Sequence, residues 1–468
     1  MTRMNTRFFI LLVVFSAALQ CAAQMTLLVS SFPQLTPLRD TLYVAGEFNG
    51  WNERDPQYMM TSGPNGHSVV ISGLSAGEYE YKITRGRWAA VEGTATGGFV
   101  GNRTLNFQNG ATENISIAGW EDIAGTPTIT SHVRVLDSNF QIPQLNRLRR
   151  IWICFPPDYF TTENYYPVVY MHDGQNVFNA GTSFSGEWEV DEAMQNAVQQ
   201  ACSSAIVVAI DNGGGNRLDE YAPWLNTQYN EGGQGGQYVD FIVNTLKPYI
   251  DAEFRTLPQK ENTAIMGSSL GGLISAYAIF THPEVFGRAG IFSSAYWFNP
   301  QIFDLAASHT AGAGNKIYHV CGTSEGNGSV LTNQNDMIAT LEGNGYSADQ
   351  LIGLDDPNGA HSEWFWREEF PAAYTWLIDC AVLDLSEISP SNFRLFPNPA
   401  DSVVEIEAEE KIISYTILRQ NGQLVQSTNT ILPNKKIQAP IENLLSGSYF
   451  VVLHLESGKR ITLRLIKK

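Results

Sequence analysis

Positive charge is what this chain has least of. Its 468 residues carry 29 Lys and Arg against 47 Asp and Glu, a formal net charge of −18. That balance argues against nucleic acid or an anionic membrane as partner, because each is held by a basic surface, and favours a neutral partner. Long apolar runs are nearly as scarce. The one of note, residues 8–19, follows Arg3 and Arg7 and precedes Cys21, Ala22 and Ala23. This is the pattern of a cleaved secretory signal over residues 1–23, too short to cross a membrane as a mature helix, and no integral membrane segment is expected after it. Cysteine is sparse as well. Beyond the signal only Cys154, Cys202, Cys321 and Cys380 remain, which allow three pairings or four buried thiols. Their wide spacing lacks the clustering of a zinc site, so no metal and no cofactor is expected. The glycine-rich D-N-G-G-G-N at 211–216 has no Lys-Ser/Thr pair after it and is no phosphate cradle.

A chain of this length exceeds one ordinary core, so several domains are expected. Residues 24–123 carry short strand-like runs (42–45, 68–71, 79–83, 114–117) separated by Gly, Asn and Pro clusters, as in a small all-β module. A linker rich in Gly, Thr and Pro, 124–130, leads to the largest region, 130–383. There strand candidates at 133–136, 150–155, 168–171, 205–210, 262–266, 289–292, 316–320 and 350–354 alternate with helical patterns at 188–200, 237–253, 270–282, 334–343 and 363–377. The fold class is therefore α/β, a mostly parallel sheet with helices on both faces and ligands at the strands' C-terminal ends. Residues 390–468 return to alternating strand runs, with a turn at Asn421-Gly422 and a basic end, Lys467-Lys468.

The most informative stretch is I-M-G-S-S-L-G-G at 265–272. It holds G-x-S-x-G between a buried strand and a helix, where a sharp turn lifts the Ser269 hydroxyl clear of the sheet; at Gly267 and Gly271 a Cβ is expected to collide with neighbouring elements. A serine hydroxyl is a poor nucleophile at neutral pH and needs a base, itself oriented by an acid. Of the downstream histidines, His361 in N-G-A-H-S-E-W falls in the loop after the last strand, whereas His282, His309, His319 and His454 sit at helix ends, in a strand and in the tail. For the acid, Glu325 lies one short turn beyond strand 316–320; Asp336 is the rival, and Asp355 or Asp356 the more distant choice. Two N–H donors must meet the developing oxyanion, each worth about 3 kcal/mol of barrier. Leu270, at the helix start, supplies one, and Gln175 in M-H-D-G-Q-N-V-F the other, with Gly174 permitting the approach. The loop after strand 205–210 brings Arg217, Asp219, Glu220, Tyr221 and Trp224 toward the same rim. Trp224, Trp297 and Trp364 are the candidate substrate-binding aromatics, while Glu220 and Tyr221 read as loop packing.

Y-M-H-D-G-Q-N-V-F, W-E-V-D-E, I-D-N-G-G-G-N-R-L-D-E-Y-A-P-W, L-K-P-Y-I-D, G-S-S-L-G-G, F-S-S-A-Y-W and G-A-H-S-E-W together resemble the esterase family that includes esterase D, the enterochelin esterases, and the feruloyl and acetylxylan esterases of carbohydrate esterase family 1. The resemblance implies an α/β-hydrolase without a large lid and a triad of Ser269, Glu325 and His361. In 24–123, G-E-F-N-G-W, Y-E-Y-K, R-G-R-W and G-N-R-T resemble the glycogen-binding-like carbohydrate-binding modules. That implies an immunoglobulin-like β-sandwich with a sugar platform of Trp51, Lys82, Trp88 and Asn102. In 390–468, F-R-L-F-P-N-P, an L-x-x-G-x-Y element ending at Tyr449 and the basic terminus resemble the type IX secretion C-terminal sorting domain, a small β-sandwich. The implied partners are the type IX secretion machinery and an ester substrate, and the implied location is secreted or cell surface, beyond the outer membrane.

The expected function is a secreted serine esterase that forms an acyl-enzyme on feruloyl or acetyl esters of plant polysaccharide. Two alternatives stand beside it: a siderophore esterase of the enterochelin type, and a non-catalytic surface carbohydrate-binding protein.

Overall fold

The computed structural model describes residues 23–123, 125, 127–199, 204–379, 393–419, 424–428, 434–444, 447–456 and 460–468. Residues 1–22 of the expected signal 1–23, Cys202, Cys380, the expected turn Asn421-Gly422, and Leu445 and Ser446 of the L-x-x-G-x-Y element lie outside the described residues.

The chain divides into a compact N-terminal unit and a larger one that begins in earnest at Thr126. In the N-terminal unit, Gln24–Ser31, Thr61–Gly63, Gly66–Ser72 and Thr112–Ser116 form one sheet, and Tyr43–Gly46, Gly77–Thr84 and Arg103–Phe107 another. Alternate residues of both, including Leu27, Ile71, Val44, Ile83 and Leu105, meet in a single core. The strand Gln24–Ser31 directly follows the expected cleavage point, and its alternating burial explains why an apolar pattern continues past Ala23.

In the larger unit eight strands form the central sheet: β1 (Val133–Ile142), β2 (Arg147–Cys154), β3 (Val168–Met171), β4 (Ile206–Ile210), β5 (Thr263–Ser268), β6 (Arg288–Phe292), β7 (Lys316–Gly322) and β8 (Leu351–Asp356). Their spatial order is β1-β2-β4-β3-β5-β6-β7-β8. The β1-β2 and β2-β4 pairs are antiparallel, and all later pairs are parallel. Every residue of β3, β4 and β5 is buried, as a sheet covered on both faces requires. On one face lie α1 (Val190–Gln199) and α4 (Glu363–Leu377), with the Trp188 ring in contact with those of Phe292, Trp366 and Phe370. The other face packs against α2 (Leu270–Thr281), whose helix is buried almost all round, and against the segments Gly235–Phe241 and Lys247–Glu253, joined through a π turn. A short helix, Ile302–Ser308, ends at His309, in line with the reading of that histidine at a helix end, and α3 (Ser329–Gly343) starts five residues before residue 334.

The C-terminal strands differ from the expected pair of sheets. Phe393–Phe396, Val403–Arg419, Leu424–Thr428, Asn434–Pro440, Gly447–Leu455 and Arg460–Lys467 form one connected sheet. The long strand Val403–Arg419 has different neighbours along its two halves and so serves two layers around a core of Val404, Ile406, Ile417, Val451 and Leu465. Cys154 and Cys321 are buried free thiols; burial pushes Cys321 up to about 12, so it stays protonated at neutral pH.

Candidate active site

Ser269 stands at the junction of β5 and α2 with φ 56° and ψ −119°, a conformation that L-residues avoid. Its N–H donates to Phe292 O at 2.9 Å and its carbonyl accepts from Ala295 N at 3.0 Å, so the turn is fastened to the end of β6. A Cβ on Gly267 would lie 2.9 Å from Gly271 C and from the His172 ring, which accounts for the first glycine; at Gly271 the closest approach is a tight but tolerable 3.3 Å.

The loops after β7 and β8 bring Glu325 and His361 together. Glu325 Oε2 lies 2.7 Å from His361 Nδ1, and Oε1 accepts from Ser293 Oγ at 2.8 Å and from Gly322 N–H at 2.7 Å. Burial works against the charge on Glu325, but the bonds from His361, Gly322 and Ser293 outweigh it and hold the carboxyl below its ordinary value. The His361 ring meets Trp366 edge-on at 5.2 Å, and the Trp366 indole N–H donates to Ser293 Oγ at 2.9 Å. Ser293 and Trp366 are thus supporting residues the sequence reading did not single out. Ser293 lies in the F-S-S-A-Y-W motif and Trp366 two residues beyond G-A-H-S-E-W, but nothing local to either marks its partner. Asp336 is exposed on α3 and Asp355 exposed in β8; Glu325 is the carboxylate at the imidazole. His309 is buried against Tyr346, and His319 is buried in β7 with its pKa pushed down to about 3 by desolvation. Among the described residues no hydrogen bond joins the Ser269 hydroxyl to His361, a contact that commonly tightens only with substrate bound.

Gln175 lies in the turn Gly174–Asn176 after β3. A Cβ on Gly174 would come within 2.8 Å of Asp211 N and Ile210 C, so glycine alone lets this loop settle on the end of β4. Leu270 N–H is the first of α2, and neither it nor Gln175 N–H meets an acceptor among the described residues. The loop that carries Gln175 is braced from below. Asp173 holds Arg217 through both oxygens at 2.7 and 2.8 Å and accepts from Asn212 at 2.7 Å, and its own N–H donates to Tyr221 OH at 3.0 Å. Buried His172 bonds Tyr238 OH at 3.0 Å and is pushed down to about 3 by desolvation, which keeps it neutral. Asn176 donates to Glu363 Oε1 at 3.2 Å, tying this loop to the segment that follows His361.

Of the loop after β4, Glu220 is buried between Arg147 and Arg149 and Tyr221 is buried, as the packing reading expects. Trp224 packs edge-on against Tyr277 at 5.6 Å and against the core. Trp297 and Trp364 are the exposed members of the predicted set. A cavity of about 460 Å³ opens beside Gln175, lined also by Arg150, Thr182, Phe184, Asn212 and Arg217.

The N-terminal unit carries its own concavity, of about 300 Å³, lined by Trp51, Lys82, Trp88 and Asn102 together with Phe99 and Glu121. The two indoles lie 6.3 Å apart at 41°. Lys82 donates to Val100 O and lies 4.9 Å from the Phe99 ring centre; Asn102 donates to Glu80 at 2.8 Å. Phe99, highly exposed, is the aromatic member that the Gly/Thr-rich segment 92–100 concealed.

Residues 142–377 match the family model described as "Putative esterase", and residues 394–468 match that of the secretion system C-terminal sorting domain. An uncharacterized protein, YbbA, of Bacillus subtilis is 28% identical over 240 residues, 49% of this chain and 92% of that protein. An endo-1,4-beta-xylanase/feruloyl esterase of Xylanibacter ruminicola is 24% identical over 206 residues, 43% of this chain and 25% of that one. A siderophore triacetylfusarinine C esterase of Aspergillus fumigatus is 27% identical over 141 residues, 28% of this chain and 45% of that one.

Proposed function

Because the chain belongs to the esterase family whose model spans residues 142–377, we propose that it is a serine esterase acting on acyl groups carried by plant polysaccharide. Its C-terminal sorting domain directs it through the type IX pathway to the cell surface or beyond. The observation that carries the reading is the Glu325-His361 pair, on the loops after β7 and β8 of the same parallel sheet whose β5 presents Ser269. Ser269 Oγ attacks the ester carbonyl while His361 Nε2 takes its proton, and Glu325 holds the Nδ1–H and stabilises the imidazolium. Negative charge on the carbonyl oxygen is met by the N–H groups of Leu270 and Gln175. The proton then passes to the leaving alkoxide, the alcohol departs, and water activated by His361 hydrolyses the acyl-enzyme.

The polysaccharide assignment rests on the N-terminal concavity, where Trp51, Trp88 and Phe99 offer faces for pyranose rings and Lys82 and Asn102 offer hydrogen bonds. Kinship with a feruloyl esterase supports the acyl side. The test is a panel of feruloylated and acetylated xylan fragments and a siderophore triester, each with wild-type enzyme and with Ser269→Ala. Serine-dependent turnover highest on the xylan esters supports the proposal. Turnover highest on the triester replaces it with the siderophore reading, and no turnover on any ester leaves a binding protein.

A further inference from the structure

Three carboxylates outside the Ser269, Glu325 and His361 set gather where the chain enters the hydrolase unit. Glu187, Asp191 and Glu192 each offer an oxygen, and these oxygens all lie within 4.8 Å of one another. Two ligands of one calcium ion, each about 2.3–2.6 Å from it, stand no farther apart than about 5 Å, so the spacing suits a shared ion. Solvation does not explain the cluster, for Asp191 has no exposed surface and Glu187 very little. Asp191 Oδ1 and Glu192 Oε2 are buried with no donor in hydrogen-bond geometry; the two carboxyls face each other, and the Thr130 hydroxyl on the strap beside them approaches Asp191. Such orphaned oxygens are costly to bury unless something positive meets them. The remaining oxygens are already organised: Thr130 N–H donates to Asp191 Oδ2 at 2.7 Å, and Thr128 Oγ1 reaches both Glu187 oxygens at 2.9 and 3.0 Å.

We propose that Glu187, Asp191, Glu192 and Thr130 form a calcium site that pins the entering strap, residues 127–131, to the start of α1. The ligand set is all oxygen, with no His or Cys, which selects a hard cation over zinc or copper. Calcium is favoured over magnesium because three carboxylates at and just before a helix start, with a threonine from the strap, do not impose octahedral geometry, and calcium accepts irregular shells. A protein exported from the cell meets calcium at concentrations that satisfy even a weak site of this kind.

The full chain is assayed at pH 7.5 by terbium luminescence excited through Trp188, adjacent to Glu187, and by thermal unfolding in EDTA, CaCl2 or MgCl2. Calcium at a hundredfold excess over its Kd is expected to raise the midpoint by about 5 °C or more and to displace terbium. Glu192→Gln, an isosteric change at a partly exposed position, is expected to weaken calcium at least about tenfold and to leave p-nitrophenyl ester turnover unchanged. Asp191→Asn serves as the second variant and is expected to abolish the terbium signal. The proposal is overturned by the absence of terbium signal and calcium shift in the wild type, or by shifts that persist in both variants. The first result would mean that Asp191 and Glu192 share a proton instead, and the second that calcium acts at another place. A larger response to magnesium than to calcium overturns the choice of ion.

Discussion

Glu325 turns one carboxylate oxygen to His361 Nδ1 at 2.7 Å and the other to the Ser293 hydroxyl at 2.8 Å, so the acid is gripped on both sides. Its rotation is fixed before substrate arrives, and with it the tautomer that leaves His361 Nε2 free to accept a proton.

Ser269→Ala and His361→Ala are each expected to lower p-nitrophenyl acetate turnover by about 10⁴-fold or more, and the double variant by little beyond either single change, because nucleophile and base act as a unit. Steady-state kinetics of the three variants check this; near-normal turnover in Ser269→Ala would refute the proposed mechanism.

Glu325→Gln is expected to cost about 10²- to 10⁴-fold in kcat with KM little changed, since it disturbs the orientation of the base rather than substrate binding. Asp336→Asn, at an exposed position on α3, should leave both constants unaltered. A greater loss at Asp336 than at Glu325 would reassign the acid.

The depressed Glu325 carboxyl also makes a pH-dependent contribution to stability. Its folded pKa lies below the ordinary 4.5, so the contribution is full above that value and is lost as pH falls through the lower, folded pKa. Ser293→Ala removes one of the bonds that depress it, and the acid limb of the unfolding curve is expected to move to higher pH. Melting midpoints between about pH 3 and 6 measure the displacement, and superimposable curves would count against this role for Ser293.

Gly174→Ala places a methyl group 2.8 Å from the backbone at Asp211 and must push the oxyanion loop outward. Displacing one donor is expected to lower kcat about 10²-fold, with a smaller change in KM; an unaltered kcat would remove Gln175 from the oxyanion role.

Replacing both Trp51 and Trp88 by Ala is expected to reduce retention on insoluble xylan or α-glucan roughly tenfold or more, taking about 1 kcal/mol for each stacking contact. Turnover of small soluble esters should stay constant. A pull-down with the wild-type chain that retains no polysaccharide would remove the support for a polymeric substrate.

The sheet was legible because β3, β4 and β5 are buried on both faces and so read as unbroken apolar runs between turn signals. Ser269 and His361 were legible because motif and chain order confine them to particular loops. What the sequence conceals is partnership across long separations. Ser293 and Glu325 are 32 residues apart, and Asn176 and Glu363 are 187 apart; neither pair has a periodicity to announce it. Trp224 shows the converse: its place in a rim loop suggests substrate contact, and nothing local announces that its partly buried ring also packs edge-on against Tyr277. The C-terminal strands misled in another way: local alternation marks each strand, but it does not show that Val403–Arg419 is long enough to serve two layers.

The backbone at Ser269, held at φ 56°, has an evolutionary consequence. Glycine occupies such a conformation without the cost of about 1–3 kcal/mol that a side chain imposes there. A lineage that stopped needing ester hydrolysis would therefore gain folding margin by drifting to glycine at this one position, and directed evolution for heat resistance alone should find the same escape.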